Sequence, residues 1–435
     1  MVEAPPGPGP VSRPTIRRGD DRRVTFGGLA IAAVLLGSAA LTAARPFGAG
    51  QATWLSLHLA LAAAAGTAVA SVMPFFTTAL ARVAPAPPAG RVAAIALIAG
   101  GALAVAGGVA GDLRPLAVLG GTAYLAGLLL TAANAFLPLR STLGLGLGLR
   151  AVPLAYASAL ACVVAGATLA TAMLAGAQPI VDGWAALKPA HAWLNVFGFL
   201  SVVIAATLIH LAPTVAGGRI RPRRSGSLVL IGLASGAPMV AVGFASGSDL
   251  AARVGALLEL AGAAGLLAHG IGVQRDRGRW TGDAAWHRFA GLSLLSAPVW
   301  FLVAVVVATG PILLGGAAPA AWSIASLAAP LVVGWIAQVL VGSWTHLVPA
   351  IGPGDQAVHA RQRRRLGRAA TPRWVAWNGG LALLVAGSAI GDAAIGAIGS
   401  VAVAASLIVT IGLLVASVAF DPRSGRKASL RPGRT

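Results

Sequence analysis

An all-α membrane protein of about twelve transmembrane helices is the fold this sequence predicts, and three observations predict it. Hydrophobic residues make up 57% of the 435 residues and charged ones only 10%, against roughly 25% charged in an average soluble domain. The apolar residues fall in blocks of about twenty, the length that crosses a ~30 Å hydrocarbon core at 1.5 Å per residue. The basic residues lie between those blocks rather than on a separate polar domain. A soluble chain of this composition would lack the polar surface to cover itself.

Twelve blocks read as spans: 24–44, 53–80, 91–111, 115–137, 151–177, 190–214, 227–247, 251–273, 289–310, 322–350, 374–391 and 395–419. The first exceeds the apolar core of a secretory signal and is expected to be retained, although Thr42-Ala43-Ala44 has a weak cleavage-like character. Only Gly111, Asp112, Leu113 and Arg114 part the third block from the fourth, which predicts a very short hairpin. The Pro- and Gly-rich stretch 1–23 is expected as a disordered cytoplasmic tail, 24–420 as the transmembrane domain and 421–435 as a basic cytoplasmic tail.

The net charge of +20 is topogenic rather than a nucleic-acid footprint. With the N-terminus inside and the spans alternating, 28 of the 32 Lys and Arg fall on the inner side. Only Arg45, Arg114, Lys188 and Arg253 fall outside. One miscounted span would invert every later loop and destroy this asymmetry. The expected location is therefore a bacterial inner membrane, with both termini cytoplasmic and the lipid bilayer as the first partner. The 57 glycines, mixed with Ala and Ser, read as small residues that let helices approach closely in lipid. Cys162 is the one cysteine and makes no intrachain disulfide.

A repeat runs through the chain. Gly198-Phe199, His210-Leu211-Ala212-Pro213 and Gly218 in block six match Gly334-Trp335, His346-Leu347-Val348-Pro349 and Gly354 in block ten, without a gap, at an offset of 136 residues. Block two carries the proline as Met73-Pro74, 139 residues before Pro213, with Ser71 where the others have His. Blocks two, six and ten thus read as equivalent members of three four-helix units, about 24–137, 151–273 and 289–419. Twelve-helix transporters more often divide as six plus six.

Five of the seven histidines lie in or at the ends of even-numbered blocks: His58 and His191 toward the outer face, His210, His269 and His346 toward the inner one. His287 and His359 fall in arginine-rich inner loops and are expected to be solvated. Intramembrane ionisable groups are costly and face a bundle interior or a cofactor. The outer pair are candidate axial ligands of a haem and the inner trio candidate metal ligands, copper above all. Each can equally hydrogen-bond a neighbouring helix. Glu259, the carboxylate well inside a block, is a candidate for a proton or ion route, or a structural partner of Arg253 or a histidine. Asn195, Gln338 and Asn378 are placed to bridge helices. Trp54, Trp193, Trp322, Trp344, Trp374 and Trp377, near block ends, read as interfacial anchors. No zinc spacing, phosphate loop, dinucleotide fingerprint or nucleophile elbow stands in a plausible context.

These stretches resemble a known family. His191-Ala192-Trp193-Leu194-Asn195 through His210-Leu211-Ala212-Pro213-Thr214 is similar to membrane proteins related to haem–copper oxidase subunit I. So are His58 with Met73-Pro74-Phe75-Phe76, and Gln338-Val339-Leu340 with His346-Leu347-Val348-Pro349. NnrS-like proteins and the transmembrane region of actinobacterial copper nitrite reductases are the nearest in character. The resemblance implies three arcs of four helices, with His58 as a haem ligand. It also marks departures: block six has no Tyr, block seven no His, and block ten only His346. The family's dinuclear centre therefore lacks its usual ligands, and oxygen reduction by that mechanism is not expected. With fifteen residues after position 420, no cupredoxin module is expected to follow.

The function expected is thus a haem- or copper-binding membrane protein with a redox or nitrogen-oxide-related role and a possible redox partner protein, not a nucleic-acid binder. A secondary transporter or metal permease, or a non-catalytic membrane subunit, is the alternative.

Overall fold

The computed structural model describes residues 18–43, 49–81, 83–142, 147–218, 224–277, 284–318, 327–351 and 355–419. Every regular element among them is helical. Eleven of these helices are long and apolar enough to cross a membrane. Their outward faces carry large apolar residues such as Val34, Leu154, Ile231, Leu314 and Ile408, an exposure that water would penalise and lipid does not. The block expected at 374–391 lies in α15, Ala370–Ile390. Arg373 and Asn378 lower its apolar character, and both turn toward neighbouring helices instead of lipid.

The first compact unit holds residues 1–146 and 170–175. Its elements are α1 (Arg18–Ala43), α2 (Ala49–His58), a π-helical segment π1 (Leu59–Ala65), α3 (Gly66–Ala81), α4 (Pro88–Ala110) and α5 (Arg114–Phe136). Helix α1 starts six residues before the expected block, so 18–23 is helical where a disordered tail was expected. The buried Arg91 at the start of α4 is held by Thr25 Oγ1 at 2.8 Å and the Ser71 carbonyl at 3.3 Å. Tyr124 of α5 donates to the Ala62 carbonyl inside π1 at 3.4 Å.

The second compact unit holds residues 147–169 and 176–435. Within it follow α6 (Leu147–Ala175, of which 147–169 belong to this unit), α7 (Gln178–Asp182), α8 (Trp184–Trp193), π2 (Leu194–Ser201), α9 (Val202–Val215), α10 (Arg224–Ser246) and α11 (Asp249–Arg275). Then come α12 (Ala284–Gly315), π3 (Ala328–Ala337), α13 (Gln338–Ile351), α14 (Gln356–Leu366), α15 and α16 (Ala393–Ala419). The two later sets of four blocks thus fall in one compact unit.

Two features recur along the chain. Blocks two, six and ten each contain a π-helical segment followed by an α-helix with an internal proline: π1 and Pro74, π2 and Pro213, π3 and Pro349. Segments π2 and π3 overlap at the same 136-residue offset as the sequence match. The third and fourth helices of each expected set form a tight antiparallel hairpin. A residue at positive φ closes each turn: Asp112 (52°), Gly247 (68°) and Gly391 (74°). Asp112 is the one non-glycine of the three, and a short polar side chain tolerates that region best.

Candidate functional site

Helices α6, α10 and α11, with segment π2, meet at Glu259. Its side chain is fully buried on α11. It fits there because Gly236 of α10 has no side chain: a Cβ on Gly236 would stand 2.8 Å from Glu259 Cγ and from the Glu259 backbone nitrogen. The carboxyl faces the Ala237 backbone and the Cys162 thiol. Neither of its oxygens meets a hydrogen-bond partner at ordinary geometry. The alternative of an ion pair with Arg253 finds no support, because Arg253 lies exposed on α11. A carboxyl at this depth, with no side-chain partner among the described residues, is a candidate place for a proton, a cation or a water molecule.

The neighbours of Glu259 follow from the sequence. Pro238 lacks an N–H, so the Ala234 carbonyl four residues earlier loses its helical partner. Ser158 Oγ donates to that carbonyl at 3.2 Å. One turn along α6, Cys162 packs against Gly198 of π2, where a Cβ would stand 2.9 Å from its sulfur. Ser201, three residues after Gly198, is buried with its Oγ lacking a hydrogen-bond partner.

A second polar centre lies among α12, α13 and α15. Gln338 Nε2 donates to Ser296 Oγ at 2.9 Å and to Asn378 Oδ1 at 3.1 Å. Trp300 Nε1 donates to the same Asn378 oxygen at 2.8 Å, and Trp374 Nε1 to Ser296 Oγ at 3.1 Å. Ser296 commits its own proton to the Leu292 carbonyl at 2.8 Å. Both oxygens facing Gln338 therefore need donors, which fixes its amide with nitrogen toward them. Gln338 Oε1 is left buried without a hydrogen-bond partner. Of the three amides expected to bridge helices, Gln338 and Asn378 do so. Asn195 instead donates to the His191 carbonyl of its own span at 2.6 Å.

The histidines separate. His58, in the first unit, places Nδ1 2.7 Å from the Trp54 carbonyl and stacks on the Trp54 ring at 4.0 Å. His191, in the second, places Nδ1 2.8 Å from the Gly166 carbonyl of α6. A carbonyl only accepts, so each ring carries its proton on Nδ1 and keeps Nε2 as the basic nitrogen. That is the orientation a ligating imidazole adopts. His269 is buried, with Nδ1 3.2 Å from Ser225 Oγ, and His210 is half-buried on α9. His346 stands beside His287, their rings 5.4 Å apart. Among the described residues no group of three or more His, Cys, Asp or Glu is placed to hold a metal ion. The inner trio is therefore not gathered into one centre.

Two expectations need correction. His287 is not solvated: it is 5% exposed and packs beside the His346 ring of α13. Trp193 and Trp377 are fully buried, and Trp374 belongs to the polar centre, so these three are not interfacial anchors. Trp322 lies outside the described residues. No sequence signal marks His287 as buried, since four arginines flank it between 275 and 288.

No family model matches the chain, and no curated protein is similar to it.

Proposed function

We propose that the chain is a multi-pass inner-membrane protein of the oxidase subunit I type, with twelve spans in three four-helix sets. In this reading it holds haem or copper for a redox task in nitrogen-oxide chemistry, alongside a redox partner protein, and both termini are cytoplasmic. The observation that carries the reading is the recurrence of one span design, a π-helical segment followed by a proline-bearing helix, in the three spans that the sequence repeat aligns. Such segments concentrate at functional sites, where they re-aim side chains. The three tight hairpins support the same division.

His58 and His191 fit the demands of an axial ligand, each with its proton directed to a carbonyl. Each is assigned, within its own unit, as a residue that would hold such a group, and a haem so held would supply one-electron exchange. The Gly166 carbonyl orients His191, and the Trp54 carbonyl and ring orient His58. His210, His269 and His346 lack the convergence a copper centre needs, and copper is not assigned to them. Haem and metal content of protein purified from a native-type host, by haem extraction and elemental analysis, tests the reading. Stoichiometric haem or copper supports it, and absence of both overturns it.

A second reading, a proton- or cation-coupled transporter, is favoured by the buried carboxyl of Glu259. Solute uptake that Glu259→Gln abolishes would support it; uptake unchanged by deletion of the chain would end it.

A further inference from the structure

We propose that α14 is a headgroup site for anionic phospholipid, a membrane-surface helix whose arginines grip the lipid phosphates. The helix is capped by Asp355, whose Oδ1 accepts from the Val358 N–H at 2.9 Å. Val358, Gln362 and Leu366, at i, i+4 and i+8, form its buried stripe and pack on α12, α13 and α16. Arg361, Arg364 and Arg368 stand exposed on the other side. Arg361 and Arg364, three residues apart, share one face of the helix, and Arg368 lies in the turn just past its end.

The depth of this face is fixed by hydrogen bonds. Gln362 Nε2 donates to the Ser417 carbonyl at 3.0 Å and Arg365 Nη1 to the Ala416 carbonyl at 2.6 Å. Those carbonyls belong to the last turn of α16, whose membrane span ends at Val418, and they would otherwise lack helical partners. Helix α14 is thereby pinned level with the end of a span, at headgroup height. Five arginines lie between 361 and 368, and the capping Asp355 is the nearest carboxylate in the chain. Guanidinium forks bind phosphate in two-point fashion, and basic segments beside a membrane attract anionic lipid.

The test uses the full chain in nanodiscs of phosphatidylcholine, alone or with a minority of phosphatidylglycerol, followed by native mass spectrometry of retained lipid. The expected result is several-fold enrichment of retained phosphatidylglycerol, lost in the Arg361→Gln/Arg364→Gln/Arg368→Gln variant. The enrichment should survive Arg275→Gln/Arg277→Gln, which removes two exposed charges elsewhere. Equal enrichment in the triple variant would overturn the proposal, as would equal loss in the control pair. Displacement of the lipid by inorganic phosphate, beyond what chloride achieves at the same ionic strength, would assign the site to free phosphate and overturn the lipid claim. Should the triple variant fail to fold, Arg364→Gln alone is expected to halve the enrichment, and an unchanged value would count against the proposal.

Discussion

Gly198 lies so close to Cys162 that a Cβ on the glycine would stand 2.9 Å from the sulfur. Gly334 bears the same relation to Trp300, with a Cβ 2.5 Å from the tryptophan Cβ. The glycines are 136 residues apart and their neighbours 138, as are Ser158 and Ser296 one turn earlier. Each glycine seats a π-helical segment against the first helix of its proposed set.

Alanine at these glycines should therefore be unequally tolerated. Overpacking costs typically about 1–3 kcal/mol. Gly334→Ala should fall at the upper end, because it meets the fixed Cβ of Trp300. Gly198→Ala should cost less and recover in combination with Cys162→Ala. Thermal unfolding of the two single variants and the double variant, in one detergent, checks the order and the rescue.

Asn378 and Gln338 should respond unequally to truncation. Asn378→Leu orphans the donors of Trp300 and Gln338, at about 1–3 kcal/mol for each buried group. Gln338→Leu removes an amide whose own oxygen has no hydrogen-bond partner, and should cost less. Equal losses in a denaturation series would contradict the assigned network.

Ser158 and Pro238 should be coupled. Ser158→Ala should cost about 0.5–1.5 kcal/mol by leaving the Ala234 carbonyl bare. In a Pro238→Ala background the restored N–H can serve that carbonyl, and the serine substitution should then cost less. A double-mutant cycle measures the difference.

Glu259→Gln should leave stability within about 1 kcal/mol of the parent, since the amide keeps the shape and an oxygen that can face the Ala237 backbone. A large drop in melting temperature would assign Glu259 a structural role and weaken the transport reading.

Much of this architecture is legible in the sequence because lipid simplifies the code. Apolar length, arginine asymmetry and the His-Leu-x-Pro recurrence locate the spans, and Gly111-Asp112 locates its hairpin. Burial within the bundle is not legible in the same way. Trp377 and His287 stand next to arginines at block ends, where a lipid interface and a helix contact leave the same local pattern. The π-helical segments have no shared residue signature either: π1 is Leu59–Ala65 without a glycine, whereas π2 and π3 contain Gly198 and Gly334. Glu259 was visible as a lone acid, but the approach of Gly236 that accommodates it is a tertiary fact. Helix α14 was hidden for another reason: its stripe of Val358, Gln362 and Leu366 contains only two apolar residues.

The central claim is tested most directly by the dithionite-reduced minus oxidised optical spectrum of the purified protein, its His58→Ala variant and its His191→Ala variant. A haem difference band in the parent, lost or shifted in one or both variants, is the predicted result. A flat parent spectrum without bound copper, or a band indifferent to both substitutions, would contradict the account.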